Sequence, residues 1–139
     1  MNHLPLAPGL EQVFRQDADG CRLLAARCRL SGRLFFPAPA YCPCCLEAPE
    51  TVPLSGRGSI HAFTVVRIKA PFGLPEPYAV GYVDLEAAPL RVFGLFPPQA
   101  IADLRTGLAV DLTLMPLGLD NVGQPCLRPV FRPLGDGDA

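Results

Sequence analysis

Between residues 28 and 45 the chain reads Cys28-Arg-Leu-Ser31-Gly-Arg-Leu-Phe-Phe-Pro-Ala-Pro-Ala-Tyr-Cys42-Pro-Cys44-Cys45. Two Cys-x-x-Cys turns on facing hairpins bring four thiolates onto one tetrahedral ion, the arrangement of a zinc ribbon. Cys42 and Cys45 form one such turn intact. The other would be Cys28 and residue 31, but residue 31 is serine. Cys28, Cys42 and Cys45 are three soft ligands at ribbon spacing. Cys44, the Ser31 hydroxyl, a water or Cys21 is left to complete the set. A neutral serine is a poor zinc ligand, so two outcomes follow from the same residues. Either the three thiolates and a replacement hold a structural zinc, or the hairpins persist without the ion.

The rest of the chain calls for β structure. Seventeen prolines among 139 residues argue against long helices and for short strands joined by turns. Half of the residues are hydrophobic, enough for a real core. Residues 9–18 place Leu10, Val13 and Phe14 at helical spacing, which predicts one short amphipathic helix ended by Asp19-Gly20. Cys21 to Cys28 reads as a strand into the first knuckle, and Gly32 to Phe36 as the strand returning from it. Ile60 to Lys69 is β-branched and aromatic, with Ile60, Ala62, Thr64, Val66 and Ile68 on one face and His61, Phe63, Val65, Arg67 and Lys69 on the other. Further strands are expected at Tyr78 to Leu85, Leu90 to Phe96, Leu108 to Met115 and Pro125 to Arg132. A helical turn over Pro97 to Arg105 separates the third barrel strand from the fourth, with Ile101 and Leu104 facing inward. This order predicts a mainly β chain: a five-stranded OB-fold Greek-key barrel preceded by a short helix and a zinc-ribbon-like module. The expected divisions are 1–20 for the N-terminal helix and tail, 21–53 for the ribbon module, 54–134 for the barrel and 135–139 for a frayed tail.

The ordered set of short motifs resembles one family. Gly20-Cys-Arg-Leu-Leu, Cys28-x-x-Ser31-Gly32, Phe35-Phe36-Pro37 and Tyr41-Cys42-Pro43-x-Cys45 come first. Leu54-Ser-Gly-Arg-Gly-Ser-Ile, Phe63-Thr64-Val65-Val66, Pro77-Tyr78-Ala79-Val80, Arg91-Val-Phe-Gly, Gly107-x-x-Val110 and Phe131-Arg132-Pro133 follow. Together they resemble the acyl-CoA-associated OB-fold proteins, known as domain of unknown function 35, which carry a rubredoxin-like zinc ribbon before the barrel. The resemblance spans roughly residues 10–133. It implies a non-catalytic accessory role: partnering a thiolase-like or hydratase-like enzyme and binding or positioning its coenzyme A thioester. Residue 31, where the family pattern has cysteine, is the departure, and it bears on the zinc rather than on the fold.

Chemistry visible in single residues agrees with an accessory role. Cys21 and Cys126 sit in apolar strand contexts, as small buried hydrophobes do. His61 is the one histidine within a strand, and no Ser/His/Asp or Cys/His constellation surrounds it. Asp84 and Glu86 share a face at a strand end, where a solvated rim is the ordinary reading. A coenzyme A ligand needs cations for its phosphates and an apolar slot for its pantetheine. Arg57, Arg67 and Lys69 are the candidates for the first; Phe63 and Phe72 with the Pro71–Pro77 loop are candidates for the second. Phe72 to Tyr78 and Leu95 to Pro98 also offer apolar loop residues to a protein partner. With net charge −1, eleven arginines, one lysine and no tryptophan, the chain argues against a single-stranded nucleic-acid binder, the competing use of an OB barrel with a zinc ribbon. A stand-alone acyl-CoA binder is the third reading, and homo-oligomerisation is compatible with any of them. With neither a signal-peptide pattern nor a membrane-spanning apolar run, the expected compartment is the cytoplasm.

Overall fold

A computed structural model describes residues 10, 13–17, 20–36, 39, 41, 45–68 and 70–134. Among them nine strands form two sheets. The first sheet contains β1 (Phe14–Asp17), β2 (Gly20–Arg27), β3 (Leu34–Phe35) and β4 (Glu50–Ser55). Strand β2 is its centre. β4 pairs with it from Arg22↔Ser55 to Arg27↔Glu50. β1 and β3 share its other edge, β1 through Phe14↔Leu23 to Asp17↔Gly20 and β3 through Ala26↔Phe35 and Arg27↔Leu34.

The second sheet closes on itself. Strands β5 (Gly58–Val66), β6 (Tyr78–Leu85), β7 (Arg91–Phe96), β8 (Ala109–Leu119) and β9 (Pro125–Pro133) form a barrel in the order β5-β6-β7-β9-β8. All neighbours are antiparallel except β7 and β9, which meet in parallel at Leu95↔Val130. This is the five-stranded Greek-key barrel expected from the sequence, and closure leaves its strands no free edge. The helical insert between β7 and β8 is a 3₁₀ segment, Pro98–Asp103, whose following Leu104 is buried and whose Ile101 is half-buried.

Three local expectations are corrected. Within the helix expected over 9–18, the described residues Phe14–Asp17 form strand β1 instead. Its apolar spacing is spent in one turn, where the Val13 amide donates to the Leu10 carbonyl at 3.0 Å. Phe14 then pairs along β2 and sets its ring edge-on to Phe36, 5.9 Å between centroids. The open edge of β2 offers a ladder, and a tertiary ladder outweighs weak helix propensity over ten residues. Strand β4, which contains Pro53, was not among the expected strands. Pro53 is tolerated because, among the described residues, β4 pairs with β2 alone and is an edge strand. Finally, a bulge between Ile60 and Ala62 shifts the register of β5 against β6. The extra residue reverses the faces beyond it, so Phe63 and Val65 join Ile60 on the core side, while Ala62 and Thr64 are exposed.

One hydrophobic core serves both sheets. Leu23 and Ala25 of β2 and Leu54 of β4 pack with Val83, Val110 and Phe131 of the barrel. Leu23, Ala25, Val83 and Val110 are wholly buried. Cys21 is buried within this core and Cys126 is also buried, as their apolar contexts led us to expect.

Candidate functional site

The thiol site begins where β2 ends. The Cys28 amide donates to the Arg33 carbonyl at 2.8 Å, and the Gly32 amide to the Cys28 carbonyl at 2.9 Å. Gly32 takes φ +76, a value that glycine adopts without steric cost. The resulting tight turn aims the Ser31 amide at Cys28 Sγ, 3.4 Å away. Across the gap, Cys45 Sγ lies 3.8 Å from Cys28 Sγ. Four sulfurs at about 2.3 Å from a tetrahedral zinc would be separated by roughly 3.8 Å, so these two thiols sit at one edge of such a site. Ser31 Oγ is engaged locally, accepting the Arg33 amide at 3.3 Å. Arg29 ties the two turns together by donating from Nε to the Ala48 carbonyl at 3.2 Å. Cys42 and Cys44 lie outside the described residues, and among the described residues no group of three ligands gathers.

The candidates for phosphate contact do not converge. Arg57 precedes β5 and its Nε lies 3.4 Å from Glu86 Oε2. Arg67 follows β5 and lines a separate cleft of about 640 Å³ with Glu76 and Pro98. Strand β5 separates them, roughly 30 Å at full extension, so they do not share one pyrophosphate. Lys69 lies outside the described residues. Phe63 borders a shallow hollow with Thr64, Tyr82 and Phe93. At the strand ends Arg91 holds Asp84, Nε to Oδ1 at 2.7 Å and Nη2 to Oδ2 at 3.4 Å. That hydrogen bond holds the Asp84 carboxyl below its ordinary value, against a smaller opposing effect of desolvation. His61 Nδ1 is 3.7 Å from Asp84 Oδ2, an ion pair only when the imidazole is protonated. This group is exposed, a solvated rim as expected.

Phe72, by contrast, sits at the apolar centre of the surface. It lines a cavity of about 430 Å³ together with Val80, Leu95 and Phe131, and among the described residues Arg128 is the one charged residue in that lining. The Arg128 guanidinium lies 5.1 Å from the centre of the Phe72 ring. Beside this cavity is an aromatic ridge. Tyr82 of β6 and Phe93 of β7 face each other in register and meet edge-on, 5.2 Å between centroids. They are 45% and 58% exposed, which is unusual for rings of their size. Phe93 also borders a neighbouring hollow of about 450 Å³ with Phe14 and Phe36.

Of the loop surface expected to meet a partner, Phe72 is exposed, but Leu74, Phe96 and Pro97 are buried. Leu95–Pro98 turns inward because β7 enters the barrel there. Arg128, Tyr82 and Phe93 were not picked out in the sequence. Strand parity held the signal: Ala79, Gly81 and Val83 face the core, so Tyr82 must face outward, and Phe93 follows from Val92 in the same way.

Comparison with known proteins places this geometry. A family model for the ChsH2 C-terminal OB-fold domain matches residues 51–114. The chain is 35% identical over 106 residues to benzoylsuccinyl-CoA thiolase subunit BbsA of Geobacter metallireducens, covering 76% of this chain and 70% of that one. It is 35% identical over 123 residues to the protein of the same name from Thauera aromatica, covering 86% and 83%. Among solved structures, the Ltp2-ChsH2(DUF35) aldolase superposes with a TM-score of 0.63 at 26% identity, over 81% of this chain and 84% of that one. With the closed barrel, its strand order and these relatives in agreement, the chain belongs to the DUF35 family of OB-fold proteins.

Proposed function

We propose that this chain is a non-catalytic accessory subunit of a thiolase-like enzyme acting on a coenzyme A thioester. The carrying observation is its similarity, along most of both chains, to proteins named as thiolase subunits. The structure adds a surface suited to the role. Tyr82 and Phe93 form an exposed aromatic pair on a rigid barrel, the residue types that anchor protein interfaces. Asp84 and Arg91, each shifted in titration by their mutual hydrogen bond, form an exposed ion pair at the strand ends.

Zinc belongs to this reading as a structural staple. Cys28 and Cys45 would hold one edge of the ion, with Cys42 a third thiolate and Cys44 or Ser31 beside it. The zinc would fix two turns too short to carry a core of their own. The spacing of the two described sulfurs supports it. A hydratase-like partner is compatible with the same surface, as is a second copy of the chain. A cytoplasmic assembly fits this reading, since Cys28, Cys42 and Cys45 at ribbon spacing suit a reducing compartment.

The test is capture. The affinity-tagged full chain, expressed in its native host, is expected to retain a thiolase-like subunit in stoichiometric amount. Elution of the chain alone, together with thioester turnover by the isolated chain, would overturn the accessory role.

A further inference from the structure

The cavity under Phe72 has a composition that selects a ligand. Rings from Phe72, Tyr78, Phe93 and Phe131 border it, and among the described residues a single positive charge, Arg128, stands at its side. That charge is fixed in place. Arg128 Nε donates to the Leu117 carbonyl at 3.1 Å and Nη2 to the Leu119 carbonyl at 2.7 Å. Both carbonyls are neutral, and among the described residues no carboxylate pairs with the guanidinium. Half-exposed beside an apolar wall, this cation is open to an anion carried by an apolar ligand.

The Phe72 side of the cavity is held in an unusual way. Phe72 has φ +56, a left-handed conformation that bulky residues rarely adopt. The Leu74 amide closes the turn onto the Pro71 carbonyl at 3.1 Å, and the ring lies flat enough against Arg128 for a cation–π contact. Strain maintained at an exposed ring over a cavity is the pattern expected of a ligand clamp.

We infer that this cavity binds a ring-bearing organic acid, the ring between Phe72 and Phe131 and the carboxylate on Arg128. Under the accessory-subunit reading, on which only this identification rests, the ligand is the acyl end of the thioester: an aromatic or alicyclic group carrying a carboxylate. A volume of about 430 Å³ admits one ring and a short chain but not a whole coenzyme A thioester.

The probe is hydrocinnamate, added to the isotopically labelled full chain and followed by amide NMR. Hydrocinnamyl alcohol serves as the ring without the charge, and hexanoate as the charge without the ring. Saturable shifts at Val80, Leu95 and Phe131 are expected for hydrocinnamate, with both comparison probes at least about fivefold weaker. Arg128→Gln should weaken hydrocinnamate about tenfold while leaving the alcohol unchanged, since a hydrogen bond to a charged group is lost. Val80→Phe, which enlarges a lining side chain and leaves the Arg128 charge in place, should abolish binding at unchanged thermal stability. It keeps the test valid if Arg128→Gln loosens β8. Absence of saturable shifts in the wild-type chain, or equal affinity for acid and alcohol, would overturn the inference. Loss of thiolase capture by Val80→Phe when the wild-type chain binds no acid would show the cavity to be a protein-docking surface. That result would sink this inference and leave the accessory role standing.

Discussion

Ser31 shows how much one residue decides. Its amide already points at the Cys28 sulfur, as a knuckle requires, yet its hydroxyl is turned to the Arg33 amide. Ser31→Cys puts a fourth soft ligand into a turn that needs no rearrangement. Zinc should then bind more tightly in competition with a chromophoric chelator, and Cys45→Ser should lose it. Equal affinity in Ser31→Cys and wild type would mean that Ser31 does not face the ion. Asp84 makes a second residue-scale prediction. Its carboxyl is held below the ordinary range by the Arg91 hydrogen bond, so the ion pair stabilises the fold above the unfolded carboxylate value of about 3.9. That stabilisation fades as pH falls through the lower, folded value. Asp84→Asn should therefore melt a few degrees below wild type at neutral pH, and the gap should close in strong acid. A gap independent of pH would assign the loss to packing instead of charge.

At the scale of elements, strand pairing rather than propensity governs. Residues 9–18 carry helical spacing, but the neighbouring β2 edge recruits Phe14–Asp17 as a strand. In β5 the bulge after Ile60 turns Phe63 inward and leaves His61 exposed near Asp84. Close strand approach sets its own requirement in β6. A Cβ at Gly81 would stand 2.2 Å from the Ala62 carbonyl oxygen and 2.8 Å from the Phe63 Cα. Backbone cannot yield as a flexible side chain can, so Gly81→Ala must part β5 from β6. The expected cost is about 1–3 kcal/mol in denaturant unfolding. An unchanged midpoint would show that the barrel relaxes more freely than a closed sheet should.

For the whole molecule, the shared core ties the first sheet to the barrel. Residues 21–53 and 54–134 are thus not energetically separate: Leu23, Ala25 and Leu54 fill the same interior as Val110 and Phe131. The N-terminal sheet's last strand itself runs to Ser55. A rigid unit of this kind can present an aromatic ridge without reshaping it. Phe93→Asp places a charge at the centre of that ridge and removes no core contact, since the ring is 58% exposed. It should leave the melting temperature within a few degrees of wild type. Capture of the thiolase-like subunit should fall by about thirtyfold or more, the size of a hot-spot loss of roughly 2 kcal/mol. Undiminished capture would move the docking surface elsewhere on the chain.

Alternating apolar residues and turn-forming prolines determined the barrel, its five strands and the 3₁₀ insert. These are local signals, written in neighbours along the chain. Tertiary structure alone decided the rest. Whether Phe14 is helical or paired depends on a free edge supplied by β2, and which face Phe63 takes depends on a bulge set by β6. The meeting of Phe72 and Arg128, 56 residues apart by number, depends on how the β8–β9 hairpin lies under the Pro71–Gly73 turn. Arginines scattered along a sequence look alike until the fold fixes which of them stands against an apolar wall, because the energy of a charge is set by what surrounds it.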